Sequence, residues 1–195
     1  MTLDAPALRA DASRNRGAII CAAAAVFAAH GLNVTLERIA KAAGVGVGTI
    51  YRRFPTIEEL VRVVIDEKMT RWADRAEQAA EEAAARPWEA FRDYVLFLLA
   101  QQADDIAFSD IIASTSRCAE LFPGQTDRVR RATQTLVARA TAARVLRPDF
   151  EYGDVEVLVD ANAGVIRGAR DSAVRASERF GELMLEAVRA SPANE

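Results

Sequence analysis

Arg52 and Arg53 stand together near the end of "GVGVGTIYRRF", Gly44 to Phe54, behind three glycines that alternate with valines. Two chemistries suit such a stretch. Glycines ahead of a basic residue are how a loop cradles phosphate, whereas a short polar and basic helix face behind a tight turn is how a chain enters the major groove of a duplex. The phosphate-loop reading fails on spacing. A dinucleotide fingerprint counted from Gly44 wants glycine at its sixth place, where Thr49 stands, and a strand before it, where "LERIAKAAG" has helical spacing. A P-loop needs Lys followed by Ser or Thr after a suitably spaced glycine, and no such pair follows.

As a helix-turn-helix the stretch is consistent throughout. Gly44 ends the first helix in the left-handed region, which a residue with a side chain adopts at a cost of about 1 kcal/mol. Ala40 is small where the helices cross, and Ile39, Val47, Ile50 and Phe54 supply a shared apolar face. The opposite face of the second helix carries Gly48, Thr49, Arg52 and Arg53.

Other candidate chemistry is thin. His30, the one histidine, sits at a helix end with no Cys or acidic cluster near it in sequence. Asp104, Asp105 and Asp110 are close together, but neighbouring acids on a helix are ordinarily solvated. No enzyme, metal site or cofactor is expected. Cys21 and Cys118, far apart, read as free buried thiols in a reducing cytoplasm.

The elements that must position the basic helix follow from composition and punctuation. Of 195 residues about half are apolar, alanine is abundant and aromatics are sparse, which favours an all-α chain of one or two domains. Met1 to Ala12 lack a period and read as a disordered arm that brings Arg9 near DNA. Ser13 caps a helix to about His30, Thr35 caps the next, and the third runs from about Gly46 to Arg53. Pro55 breaks the chain; Thr56 and Glu59 form a capping box opening a long helix to about Ala84, and Pro87 restarts another. Helices at Asp104 to Arg117, Gln125 to Arg144, Asp154 to Arg170 and Asp171 to Ala190 bring the total to about nine. The expected division is an arm at 1–12, a three-helix domain at 13–55 and a helical body at 56–195. Up to Pro55 there are seven basic residues against three acids, a surplus of four positive charges; since the whole chain is at −3, the body carries −7. A basic head on an acidic body suits a chain whose first part meets a polyanion. The apolar run Ala18 to Ala29 is too short to span a bilayer, so no membrane role is expected.

The segment "GLNVTLERIAKAAGVGVGTIYRRFPTIEEL" resembles the N-terminal domain of the tetracycline-repressor (TetR) family of transcriptional regulators. Thr35, Ile39, Ala40, Ala43, Gly44, Val45, Gly48, Thr49, Tyr51, Phe54 and Leu60 stand where the family's pattern wants them. The match spans roughly Arg14 to Val64. It implies an all-helical homodimer, a repressor freed from a palindromic operator when a small molecule enters the C-terminal domain. Two positions depart from the pattern: Gly46 stands where many relatives have Ser, and Ile57 where many have a phosphate-contacting Lys.

With the resemblance in hand, Thr35, Tyr51 and Arg53 are expected on phosphates, with Lys41 and Arg16 behind them. Val47, Thr49 and Arg52 are expected to read bases, methyl against thymine methyl and guanidinium against guanine, while Gly48 lets the backbone approach. The unknown effector is expected among helices of the body that carry Trp72, Trp88, Tyr94, Phe97, Phe108, Ser114, Thr115, Arg117 and Phe122. Within that set and its neighbours the choice falls on Tyr94, Phe97, Phe108, Ile112 and Arg117, the last facing an acidic group. Leu158, Asn162, Val165, Ile166, Phe180, Leu183 and Met184, on two apolar stripes at the chain end, are expected to join two subunits. The competing reading is a helical scaffold or enzyme without DNA binding.

Overall fold

The computed structural model describes residues 5–190, and the side chains of residues 15–169 and 171–190 within them. Ten α-helices follow one another: α1 Ala5–His30, α2 Leu36–Ala43, α3 Val47–Arg53, α4 Ile57–Glu82, α5 Pro87–Asp104, α6 Ile106–Ile112, α7 Thr115–Leu121, α8 Pro123–Ala142, α9 Tyr152–Ala169 and α10 Ala173–Val188. A single 3₁₀ turn, Arg170–Ser172, joins the last two, and the only β pairing among the described residues is an isolated bridge between Leu146 and Arg189.

Two sequence expectations are corrected here. Helix α1 begins at Ala5, so residues 5–12 of the expected arm are helical and Ser13 lies inside the helix instead of capping it. Pro6 does not oppose this, because the first turn of a helix needs no N–H donor. Residues 1–4 of the arm lie outside the described residues. The helix expected over Asp104 to Arg117 is two: Asp105 leaves helical geometry and its carboxylate accepts the Phe108 amide at 2.9 Å, starting α6 afresh, and the chain turns again at Ala113 and Ser114. The other carboxylate oxygen of Asp105, a buried group, is held by Lys68 of α4. An aspartate that satisfies a helix N-terminus on one side and an ammonium on the other makes the break stable.

Helices α1 to α3 close on Ile19, Ala23, Phe27, Leu36, Ile39, Ile50 and Phe54, all buried. Thr56 caps α4 by accepting the Glu59 amide at 3.3 Å, and α4 then runs out of this head into the body. In the body α5 is central, packing against α4, α6, α8, α9 and α10. A polar seam crosses that core. Asn162 donates to the Gln102 side-chain oxygen at 2.9 Å, Gln102 donates to the Val159 carbonyl at 3.0 Å, and Ser177 donates to the Leu99 carbonyl at 3.2 Å. Each of these polar side chains is buried, and each bond fixes the rotation of one helix against the next. On the outside, Arg128 of α8 clamps Glu77 of α4 with two bonds of 2.9 and 2.7 Å.

Candidate nucleic-acid interface and effector cleft

The turn between α2 and α3 has the geometry that glycine makes cheap. Gly44 has φ 67° and ψ 27°, and the amide of Val45 returns to the Ala40 carbonyl at 3.0 Å, closing the end of α2. Thr35 opens α2 by accepting the Arg38 amide at 3.3 Å. Gly46 starts α3 without a side-chain cap.

Helix α3 buries one residue, Ile50, and turns everything else outward or to the rim. Val47 is 47% and Tyr51 43% exposed, Gly48, Arg52 and Arg53 are exposed, and Thr49 is half-buried. Lys41 and Arg16 are exposed beside them, the Arg16 guanidinium lying 5.7 Å from the centre of the Phe54 ring. A methyl added at Gly48 would meet nothing within 4 Å, so packing inside the protein does not call for glycine there. Glycine costs a helix about 1 kcal/mol against alanine, and what it provides at this place is an open approach to the backbone from outside.

The Tyr51 hydroxyl donates to Glu37 of α2 at 2.6 Å. That bond holds the Glu37 carboxyl below the usual carboxylate range and pushes the Tyr51 phenol up. It also fixes the ring against α2, with the phenol at the edge of the exposed face.

The second candidate is a cleft in the body of about 540 Å³, mouth included. Its walls are Trp72 of α4, Tyr94 and Leu98 of α5, Ile112 of α6, Thr115 and Cys118 of α7, Thr126, Val129 and Thr133 of α8, and Tyr152, Val155, Glu156, Val159 and Asp160 of α9. Trp72 donates its indole N–H to the Tyr94 hydroxyl at 3.0 Å, and that hydroxyl lies 2.9 Å from Thr133 Oγ1. Burial pushes the Tyr94 phenol up, against the pull of these two bonds. At the mouth the Tyr152 hydroxyl donates to Glu156 at 3.1 Å; burial, then the Glu156 charge, push that phenol up as well. Burial likewise raises the Cys118 thiol, so this sulfur is poorly nucleophilic.

Several expected site residues lie elsewhere. Of the five effector residues, Tyr94 and Ile112 line the cleft. Phe108 is buried behind it, edge-on to Trp72 at 6.1 Å, and Phe97 and Arg117 are half-buried but absent from the walls. One turn of α5 explains Phe97: Tyr94 and Leu98, four apart, share the inner face that it does not. Of the expected subunit contacts, Leu158, Asn162 and Ile166 point into the chain's own core, because α5 needs that face of α9 for the polar seam. Val165, Phe180 and Met184 are half-buried and Leu183 is 43% exposed. The outward face of α9 is instead Val157, Ala161, Gly164 and Gly168, at steps of four, three and four. Cys21, expected inside, is exposed.

Residues 19–64 match the model for bacterial regulatory proteins of the tetR family. No curated protein matches the sequence. Among solved structures, the TetR transcription regulatory protein from Mycobacterium vanbaalenii is 30% identical over 94% of this chain and 99% of that one, with a TM-score of 0.53. A TetR transcriptional regulator from Streptomyces coelicolor is 27% identical over 91% and 99%, with a TM-score of 0.55. The transcriptional regulator FadR from Bacillus subtilis in complex with stearoyl-CoA shares the fold, with a TM-score of 0.60 at 19% identity over 89% and 99%. The chain belongs to the TetR family.

It is a DNA-binding transcriptional regulator of that family, and α2 with α3 is its helix-turn-helix. The sequence reading missed three features of this TetR-family chain. Tyr152 and Glu156 sit four apart, the spacing at which helical neighbours meet, but nothing local says that their side of α9 borders a cavity. Thr133, in a helix rich in Arg and Thr, carries no local mark of the buried tyrosine it meets. The third is Asp110 of α6. Its carboxylate accepts the Leu32 amide at 3.3 Å, lies 3.9 Å from Arg167 of α9, and would stand 2.5 Å from a methyl added at Gly31, where φ is 68°. A glycine in the left-handed region under a carboxylate from the body is a contact between the two halves of the regulator.

Proposed function

We propose that this chain is a homodimeric repressor that reads a two-fold operator with α3 and lets go when a small molecule fills the cleft in the body. The observation that carries the DNA half is the α3 surface: one buried residue, and an outward face of Val47, Gly48, Thr49, Arg52 and Arg53. Arg52 reads a guanine, Val47 and Thr49 present methyl groups to thymine, and Arg53 and Lys41 neutralise phosphates. Tyr51 reaches a phosphate by turning its one hydroxyl proton away from Glu37, and Thr35, whose capping role uses a lone pair of its oxygen, has a hydroxyl proton to donate. One such helix reads too few base pairs for specificity, so two copies bind half-sites about 34 Å apart or more. The exposed stripe of α9 together with Phe180, Leu183 and Met184 of α10 supports a four-helix contact between subunits.

The effector half rests on the cleft and on Asp110. Ile112 lines the cleft and Asp110 touches the α1–α2 junction, two residues apart on one short helix. A ligand that shifts α6 therefore changes how the head is held. Stearoyl-CoA in the B. subtilis regulator supports reading a body of this fold as a ligand holder. The test is a titration of duplex DNA from upstream of the chain's own coding sequence at two salt concentrations. Arg53→Ala should weaken all DNA alike and lower the salt slope by about 0.9, while Arg52→Ala should narrow the gap between this DNA and a scrambled duplex. Equal behaviour of the two variants would overturn the assignment of roles.

A further inference from the structure

The charges that line the cleft choose among ligands. Among its wall residues the only charged side chains are Glu156 and Asp160, both on α9; none is Lys or Arg. The rest of the lining is aromatic and aliphatic, with hydroxyls from Thr115, Thr126 and Thr133. Arg117, expected from sequence to receive an acidic effector, is not in the wall. Two other cations come near without joining it. The charge of Arg75 is felt at Tyr94 from outside the wall, where Arg75 lies 3.5 Å from Glu82 on its own helix and its buried Nη1 makes no hydrogen bond, and Arg130, felt at Tyr152, is engaged by Asp127 at 2.6 Å.

Burying an anion against two carboxylates would cost both desolvation and repulsion, whereas a protonated amine gains a charge-assisted hydrogen bond on the same atoms. Aromatic faces beside the mouth add to the preference for a cation. We propose that the effector is an amphiphilic monocation: an apolar or aromatic body seated between Trp72, Leu98 and Val129, with an ammonium group held at the mouth by Glu156 and Asp160. This rests on the reading of the cleft as the effector site and narrows it to one chemical class.

Three probes with one body and different heads test it: 4-phenylbutylamine, 4-phenylbutanol and 4-phenylbutanoate, each titrated calorimetrically into the full chain. The amine should bind about tenfold tighter than the alcohol, and the acid more weakly than both. The double variant Glu156→Gln with Asp160→Asn should bring the amine down to the alcohol's affinity and leave the alcohol unchanged; both positions are at the mouth, and the melting temperature checks that the variant is folded. An acid that binds as well as the amine, an amine advantage that survives the double substitution, or no binding by any probe would overturn the proposal. DNA binding by the same preparations, with and without saturating amine, is read separately. Amine binding that leaves DNA affinity untouched would uphold the ligand class and refute the cleft as an effector site, while binding by the amine alone upholds the ligand class.

Discussion

The head and the body of this regulator keep their working residues in opposite places. In the head the core is Ile19, Phe27, Ile39 and Ile50, and the residues assigned to DNA are outside it. In the body the cleft is a gap within the core, so Trp72, Tyr94 and Val159 both support the fold and line the site. The lesson is that DNA binding can be removed from the head with little harm to the fold. A substitution on the floor of the cleft costs the fold as well.

The sharpest break in this comparison would come at Trp72. Trp72→Ala removes a buried indole, its edge contact with Phe108 and its bond to Tyr94, and should lower stability by about 3–5 kcal/mol in urea unfolding. A loss under 1 kcal/mol would mean that the cleft wall is not part of the core. Next is the junction between the halves. Gly31→Ala should cost about 2 kcal/mol, from the left-handed backbone and the collision with Asp110; Asp110→Ala itself loses the bond to the Leu32 amide, so the collision share is read as the coupling between the two substitutions in a double-mutant cycle. In the head, Arg52→Ala should cost about 1–3 kcal/mol of binding to the preferred operator while changing stability by no more than about 0.5 kcal/mol. A fall in melting temperature matching that of Trp72→Ala would erase the contrast between the two regions.

The smallest effect is a pH dependence at the edge of the head. The Tyr51 bond depresses the folded Glu37 carboxyl, so its contribution is present above the ordinary carboxylate range and lost as pH falls through the folded value. The raised Tyr51 phenol works the other way: its contribution is present below the ordinary phenol range and lost as pH rises. Melting curves of wild type and Tyr51→Phe should therefore differ by a constant small amount at mid pH, and the difference should begin to shrink as pH falls below about 4 and as it rises above about 10. A difference that does not shrink at all on acidification would sever the bond from the stability it is credited with.

The same contrast explains what could be read from sequence. The helix-turn-helix was legible because its determinants are local: Gly44 needs a positive φ, Thr35 is three residues from the amide it caps, and Ile39 of α2 and Ile50 of α3 are the apolar residues the two helices bury. The body's site depends on which side of α9 meets α5, and that is settled by Gln102, some sixty residues away from the Asn162 it holds. Leu158 and Val157 are equally apolar in sequence, yet the first is 8% and the second 64% exposed. The break between α6 and α7, at Ala113 and Ser114, was missed because neither glycine nor proline marks it. The start of α1 was missed because Pro6 can open a helix as well as precede one, and Ser13 can cap a helix or lie inside one.

Every role given to the head depends on the outward face of α3 reading duplex DNA. Selection of bound sequences from a random double-stranded pool, run in parallel with wild type and Arg52→Ala, addresses it most directly. Wild type should select a two-fold symmetric motif, and the variant should lose one guanine preference per half-site with the rest of the motif intact. A pool that stays random with folded wild type, or the same motif from both proteins, would contradict it.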